Sequence, residues 1–290
     1  MVELLQAGDG RVLSVEAWGD PRGAPVFLLH GTPGSRSGPR PRAPLLYRLG
    51  IRLIGYDRPG YGDSDRQTGR TVAAAAADVA AIADALGIDR FAVIGRSGGG
   101  PHALACAALM PDRVTEAAVM VGLAPRDAEG LDWFAGMSPA NVAAYMVAEF
   151  GMEALAARIE PHAAAIRADP AANLPFLLSE LPASDLQVLA NIGVRSMLMA
   201  NFAEAFKHSA AGWIDDVIAF ISPWGFEPSR TTVPVRLWHG DADRFVPLGH
   251  ARWLAERIAG TTLTIESGAA HFGAVKAMPG MIGALAARAA

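Results

Sequence analysis

Phe91-Ala92-Val93-Ile94-Gly95-Arg96-Ser97-Gly98-Gly99 decides how the chain is read. Its first four residues are short, apolar and closed by glycine, as in a buried parallel strand. The alanine-rich stretch 101–110 that follows has the small residues of a packed helix. A serine between the two must sit on a sharp turn. Such a turn crowds the backbone, so the residues two before and two after the serine need to lack a Cβ, and Gly95 and Gly99 stand there. The turn would lift the hydroxyl above the edge of a sheet, which makes Ser97 a candidate nucleophile.

Outward from this point the pattern repeats. Residues 2–5 and 12–18 read as a hairpin across Asp9-Gly10, and 26–29 and 51–54 as short core strands. Residues 71–86 read as a helix with Thr71 as its N-cap and Gly87 as its stop. Strands over 114–121, 233–238 and 262–265, with helices over 248–258 and 273–289, complete the series. Eight strands in alternation with helices predict an α/β fold, a mostly parallel eight-stranded sheet with helices on both faces.

The rhythm breaks between residues 124 and 230, where strand signals give way to helical pieces punctuated by Pro139, Pro161, Pro170, Pro175, Pro182 and Pro223. The expected organisation is a core domain of residues 1–123 and 231–290 with a helical cap of residues 124–230 inserted in it. The insertion carries 13 acidic and 6 basic residues, so it is negative where the remainder is slightly positive. It is also rich in large apolar side chains such as Trp133, Phe134, Phe176, Phe202 and Trp213. Most must pack the helices together, and a minority would face a ligand and exclude water from it.

Composition narrows the function classes. The chain of 290 residues is 51% hydrophobic, but much of that is alanine, and no apolar run approaches the roughly 18 residues of a membrane span. The first residues lack the basic and apolar regions of a signal peptide. Together with the single Cys106, which permits no internal disulfide and reads as a small buried apolar residue, this predicts a cytoplasmic protein. A net charge of −4 gives no reason to expect nucleic acid. The arginines of residues 36–42 read as a solvated loop. A small-molecule substrate is the expected partner, with no membrane, metal or cofactor, and the pattern is equally compatible with a monomer and a homodimer.

A serine hydroxyl becomes nucleophilic when an imidazole removes its proton and a carboxylate orients that imidazole. Asp243 lies on the loop after one core strand and His271 on the loop after the last, at the strand ends where sites of parallel sheets collect. Asp241 competes with Asp243, its alternative role being to shape the turn. Among the other histidines, His30 and His239 stand at strand ends, where structural roles are expected, and His102 lies on the helix after Ser97. His162, His208 and His250 fall on predicted helices, and none of these has metal-ligand spacing near a carboxylate. Asp215-Asp216 is a tempting pair, but adjacent helical residues point about 100° apart, so charges at a helix N-terminus are the expected role. Arg96 is expected to form a buried ion pair, with electrostatic adjustment of the site as the alternative.

With these residues in order, the chain resembles the α/β-hydrolase superfamily, in its form with a helical cap. The resemblance rests on His30-Gly31-Thr32-Pro33-Gly34, on residues 57–64 (Asp-Arg-Pro-Gly-Tyr-Gly-Asp-Ser), on the turn around Ser97, and on Asp243 and His271 in that order. It implies Ser97 as nucleophile, His271 as general base and then acid, and Asp243 as the orienting acid, favoured over Asp241 by the Val246-Pro247 that follows. It also implies an oxyanion hole from the backbone N–H groups of Thr32 and Gly98. The implied activity is hydrolysis of a small or medium apolar ester, thioester or lactone. A proline-iminopeptidase-like enzyme, a carbon–carbon bond hydrolase and a non-hydrolytic binding or cyclase protein on the same fold are the alternatives. Against haloalkane dehalogenases and epoxide hydrolases stands the serine itself, where they have aspartate. Proline iminopeptidases are similar to the chain in the proline-bearing loop, but have glycine where Thr32 stands and tryptophan where Gly98 stands.

Overall fold

The computed structural model describes residues 2–171 and 181–289, so Pro175 and Phe176 lie outside the described residues. The strands are β1 (Val2–Gln6), β2 (Val12–Gly19), β3 (Ala24–Leu29), β4 (Ile51–Tyr56), β5 (Phe91–Arg96), β6 (Val114–Met120), β7 (Val235–Gly240) and β8 (Thr262–Glu266). They form one sheet in the order β1-β2-β4-β3-β5-β6-β7-β8. β1, β2 and β4 pair antiparallel, and from β4 through β8 all pairs are parallel.

Alternation sorts the strand side chains between two cores. Phe27, Leu29, Phe91 and Val93 enter the layer that also takes residues of α2 (Ala74–Ala85), α3 (Gly99–Leu109) and the later helix Leu248–Arg257. Val26, Leu28, Ala92 and Ile94 face the opposite layer, filled by Leu46 of α1 (Ala43–Arg48) and by the last helix, Gly273–Ala289. All six residues of β5 are buried, as a parallel strand covered on both faces requires. Cys106 is buried in the first layer, where burial pushes its thiol up.

Helix α2 begins at Ala74, three residues after the expected cap. The Thr71 carbonyl closes a turn with Ala74 N–H, while Ala73 N–H is held by the Trp224 carbonyl, so residues 71–73 are drawn into a tertiary contact before the helix starts. The loop expected to be solvated is largely covered. Arg36 is buried and hydrogen-bonded to Asp57 and Glu204, and Arg40 lies over the Trp18 ring at 4.0 Å. The corrected reading follows from Asp57, a fully buried carboxylate that needs a cation.

Between β6 and β7 the chain inserts helices. Those described are α4 (Pro139–Ala148), α5 (Met152–Ala168), α6 (Ala183–Leu189), α7 (Ile192–Ala205) and α8 (Ala211–Ile221). They have an apolar core of their own, in which Leu155, Ile159, Phe202, Phe206, Ile214 and Val217 meet. The two helices that flank β8 are α9 (Leu248–Arg257) and α10 (Gly273–Ala289). No described helix is long and apolar enough to cross a membrane.

Candidate active site

The strand order reverses direction at β3, which lies between β4 and β5. The loops leaving β3 and β5 therefore emerge side by side at the carboxyl edge of the sheet, where such folds bind ligands. Leu29 pairs with Gly95 across these strands. Two residues beyond Gly95, Ser97 adopts φ 55°, the left-handed region that costs a residue with a Cβ about 1–2 kcal/mol. Its N–H is held by the Met120 carbonyl and its C=O by Gly100 N–H, each at 2.8 Å. A Cβ on Gly95 would press into the carbonyl of Gly99, so the glycines around the turn answer to a real close approach.

Gly98 caps the N-terminus of α3, and a Cβ there would strike the Thr32 side chain and the Phe220 ring. Neither the Gly98 nor the Thr32 N–H donates a hydrogen bond within the described residues. Both residues line a cavity of about 210 Å³ together with Ser97, Arg96 and His271. His271 donates from Nδ1 to Asp243 Oδ2 at 2.8 Å, and the other oxygen of Asp243 accepts from the N–H groups of Phe245 and Val246. Burial raises the Asp243 carboxyl, but the His271 imidazole and these hydrogen bonds prevail and hold it below the usual carboxylate range. Asp241 instead accepts from Gly268 N–H at 2.7 Å and braces the loop that leads to His271. A larger groove, about 790 Å³, runs along Asp63, Arg66 and Glu153 and contains none of these groups.

The inserted helices hold the loops of Thr32, Asp243 and His271. From α8, Asp216 is fully buried and accepts from Thr32 Oγ1 at 2.5 Å, Tyr61 Oη at 2.9 Å, Arg58 at 2.5 Å and Arg70 at 2.6 Å. Asp215 pairs with Arg66. This corrects the expected helix-end role, because both residues lie in the second turn of α8, Asp215 facing Arg66 and Asp216 facing Arg58 and Arg70. Asp185 of α6 accepts from Phe272 N–H at 2.8 Å, next to His271. Asn141 of α4 donates to the Phe245 carbonyl on the Asp243 loop. Asn201 of α7 bonds Ser35 twice.

Four other histidines, His30, His102, His239 and His250, are buried and held by the fold. His30 bridges the Gly31 carbonyl and Arg58 N–H, and His239 donates to the Val246 carbonyl behind Asp243. His102 is held by the Gly98 carbonyl and His250 by Ala124 N–H and the Trp133 carbonyl. His208 meets Asp63 at the surface, and His162, exposed on α5, lines the outer part of the cavity beside Arg158. Burial, joined by the Arg58 charge at the first two, depresses His30 well below the ordinary range and His102 to about 3, and burial lowers His250 to about 4. In the unfolded chain such groups take protons near pH 6.5, so their contribution is full above that pH and lost as the pH falls below it. The slope is roughly 1 kcal/mol per pH unit for each group. Asp57, raised by burial to about 6, works in the opposite sense and offsets part of it. Urea melts are expected to show stability falling from pH 7 to pH 5, less steeply in His250→Asn; a flat or rising profile would contradict this.

Comparison with known proteins agrees with this architecture: the family model described as alpha/beta hydrolase fold matches residues 24–276. The chain belongs to that family. This α/β hydrolase is 29% identical over 274 residues to a non-heme chloroperoxidase of Streptomyces lividans, with 92% of both chains covered. It is 35% identical over 137 residues to a proline iminopeptidase of Xylella fastidiosa (strain 9a5c), covering 45% of this chain and 42% of that protein. The enol-lactonase of Burkholderia xenovorans LB400 superposes with a TM-score of 0.70 over 99% of both chains at 19% identity, a likeness of fold.

Three polar residues that position the site of this α/β hydrolase escape the sequence reading, Asn141, Asp185 and Asn201, and a fourth, Asp216, is read there in another role. Asp216 had a signal, since Trp213-Ile214-Asp215-Asp216-Val217-Ile218 places carboxylates in an otherwise apolar helix. A carboxylate so placed requires a buried cation. Nothing comparable marks Asn141, Asp185 or Asn201.

Proposed function

We propose that the protein is a serine hydrolase that cleaves a small or medium carboxylic ester, thioester or lactone through an acyl-enzyme on Ser97. The observation that carries this reading is Ser97 in left-handed backbone on the wall of a cavity that it shares with His271, whose Nδ1 is committed to Asp243. That commitment leaves Nε2 to take the hydroxyl proton as Ser97 Oγ attacks the carbonyl carbon, and to return it to the departing alcohol, thiol or ring oxygen. Water, deprotonated by the same imidazole, then releases the acid. The unsatisfied N–H groups of Gly98 and Thr32 supply the donors for the oxyanion, a contribution of about 10²- to 10³-fold for each such donor.

A cavity of about 210 Å³ favours a small substrate, below the roughly 300–1,000 Å³ of drug-sized pockets. An aminopeptidase would need a carboxylate to receive the substrate's amino group, and none lines the cavity among the described residues. A fluorophosphonate probe is expected to form one adduct, located on Ser97 by peptide mass spectrometry, and short-chain p-nitrophenyl esters to be turned over faster than long-chain ones or amino acid p-nitroanilides. No adduct, or an adduct on another residue, would refute the assignment.

A further inference from the structure

The described residues lining the cavity include two arginines, Arg96 beside the nucleophile and the exposed Arg158 on α5, and no carboxylate. Arg96 is only 8% exposed. The other deeply buried arginines are all paired, Arg36 with Asp57, and Arg58 and Arg70 with Asp216. Arg96 has no such partner: its guanidinium makes no hydrogen bond or ion pair among the described residues. The carboxylate whose charge reaches it, Asp185, stays beyond ion-pair distance and commits one oxygen to Phe272 N–H. This overturns the expected buried ion pair. A guanidinium carries five N–H donors that must be satisfied, and a buried one left without an anion is among the more expensive arrangements in a protein.

The geometry points to a carboxylate on the substrate as the missing partner. Resting on the serine-hydrolase reading, we infer that Arg96 recognises a carboxylate on the acyl portion, a few bonds from the scissile carbonyl, and that Arg158 draws such anions to the cavity. The short reach follows from Gly31. The point where a Cβ would project from it lies 3.4 Å from Ser97 Cβ and 3.5 Å from Arg96 Nη2, so nucleophile and guanidinium flank the same glycine. A planar carboxylate matches the guanidinium fork with two parallel hydrogen bonds. The acyl portion remains tethered to Ser97 throughout the acyl-enzyme, and a group on it can hold Arg96 in every step. The preferred substrate class is thus the monoester, or the lactone equivalent, of a short dicarboxylic acid.

The test compares monophenyl glutarate with its methyl-capped diester, the same acyl chain without the charge, background hydrolysis being subtracted. The wild type is expected to favour the charged ester by about tenfold or more in kcat/KM, as charge-assisted pairing allows. The ratio should fall to near one in Arg96→Met and be partly kept in Arg96→Lys. A wild-type ratio of one or less overturns the inference whether or not either variant folds. Calorimetry on Ser97→Ala is expected to detect glutarate but not its dimethyl ester; equal binding, or none of either, counts against Arg96. Labelling of wild-type Ser97 by the fluorophosphonate separates the two failures. Labelling without a preference for the charged ester removes only the role of Arg96, whereas absence of labelling removes the hydrolase reading beneath it.

Discussion

Ser97→Ala is expected to lower kcat for the best ester about 10⁶-fold and to leave the fold in place. Alanine keeps the Cβ, so the left-handed backbone at φ 55° is no more strained than before, and urea melts should agree with the wild type within about 1 kcal/mol. The residual rate should still exceed that in water by about 10³-fold, because Gly98 and Thr32 would keep their N–H donors on the cavity wall. Kinetic assay after removal of any wild-type contaminant, by prior fluorophosphonate titration, reads this directly. A variant that retains a tenth of the wild-type kcat would take the serine out of the chemistry.

Asp216→Ala is expected to destabilise the protein by about 3–5 kcal/mol, the loss typical when one partner of a buried ion pair is removed. That is a large share of a total stability of about 5–15 kcal/mol. The reason lies in what it abandons: Arg58 and Arg70, both buried, lose their counter-charge, and Tyr61 and Thr32 lose an acceptor. Burial alone would raise the Asp216 carboxyl, but the two guanidinium groups hold it well below the usual range. Its contribution is therefore present above the unfolded carboxylate range near pH 4 and is lost only as the pH falls through the depressed folded value. Asp216→Asn, with the volume kept and the charge removed, should lose nearly as much. Asp215→Ala should lose less, because Arg66 remains partly in water. Urea melts of the three variants at pH 7 decide it, and equal losses for Asp215 and Asp216 would show that helix packing, not charge, sets the effect.

What could be read from the sequence was what local chemistry dictates. The turn at Ser97 needs glycines at fixed distances and a strand and helix at its sides, and all of these are contiguous in the chain. Strand periods, and the loops after β3, β7 and β8, follow the same logic. The choice between Asp241 and Asp243 was harder, since the two lie on one short loop and only the fold decides which meets His271. Long-range polar pairing was not legible. Arg36 reads as an exposed loop residue until Asp57 is seen beneath it, and Asp216 as a helix-end charge until Arg58 and Arg70 converge on it. Arg96 reads as one half of a buried ion pair, and its lack of a partner among the described residues appears only when the surrounding side chains are in place.

The grip of the inserted helices on the site has a consequence for recombining such proteins. Helices α4, α6, α7 and α8 each hydrogen-bond a loop of the sheet edge, whereas α5 contributes cavity wall without holding the loops of Thr32, Asp243 or His271. The unit that can be exchanged between homologues is thus smaller than the whole insertion. A grafted α5 would alter the ceiling over the substrate and leave the reacting groups aligned. A grafted α8 must bring a carboxylate at the position of Asp216, or travel together with replacements for Arg58 and Arg70, because the acid lies on one side of the graft boundary and its two bases on the other.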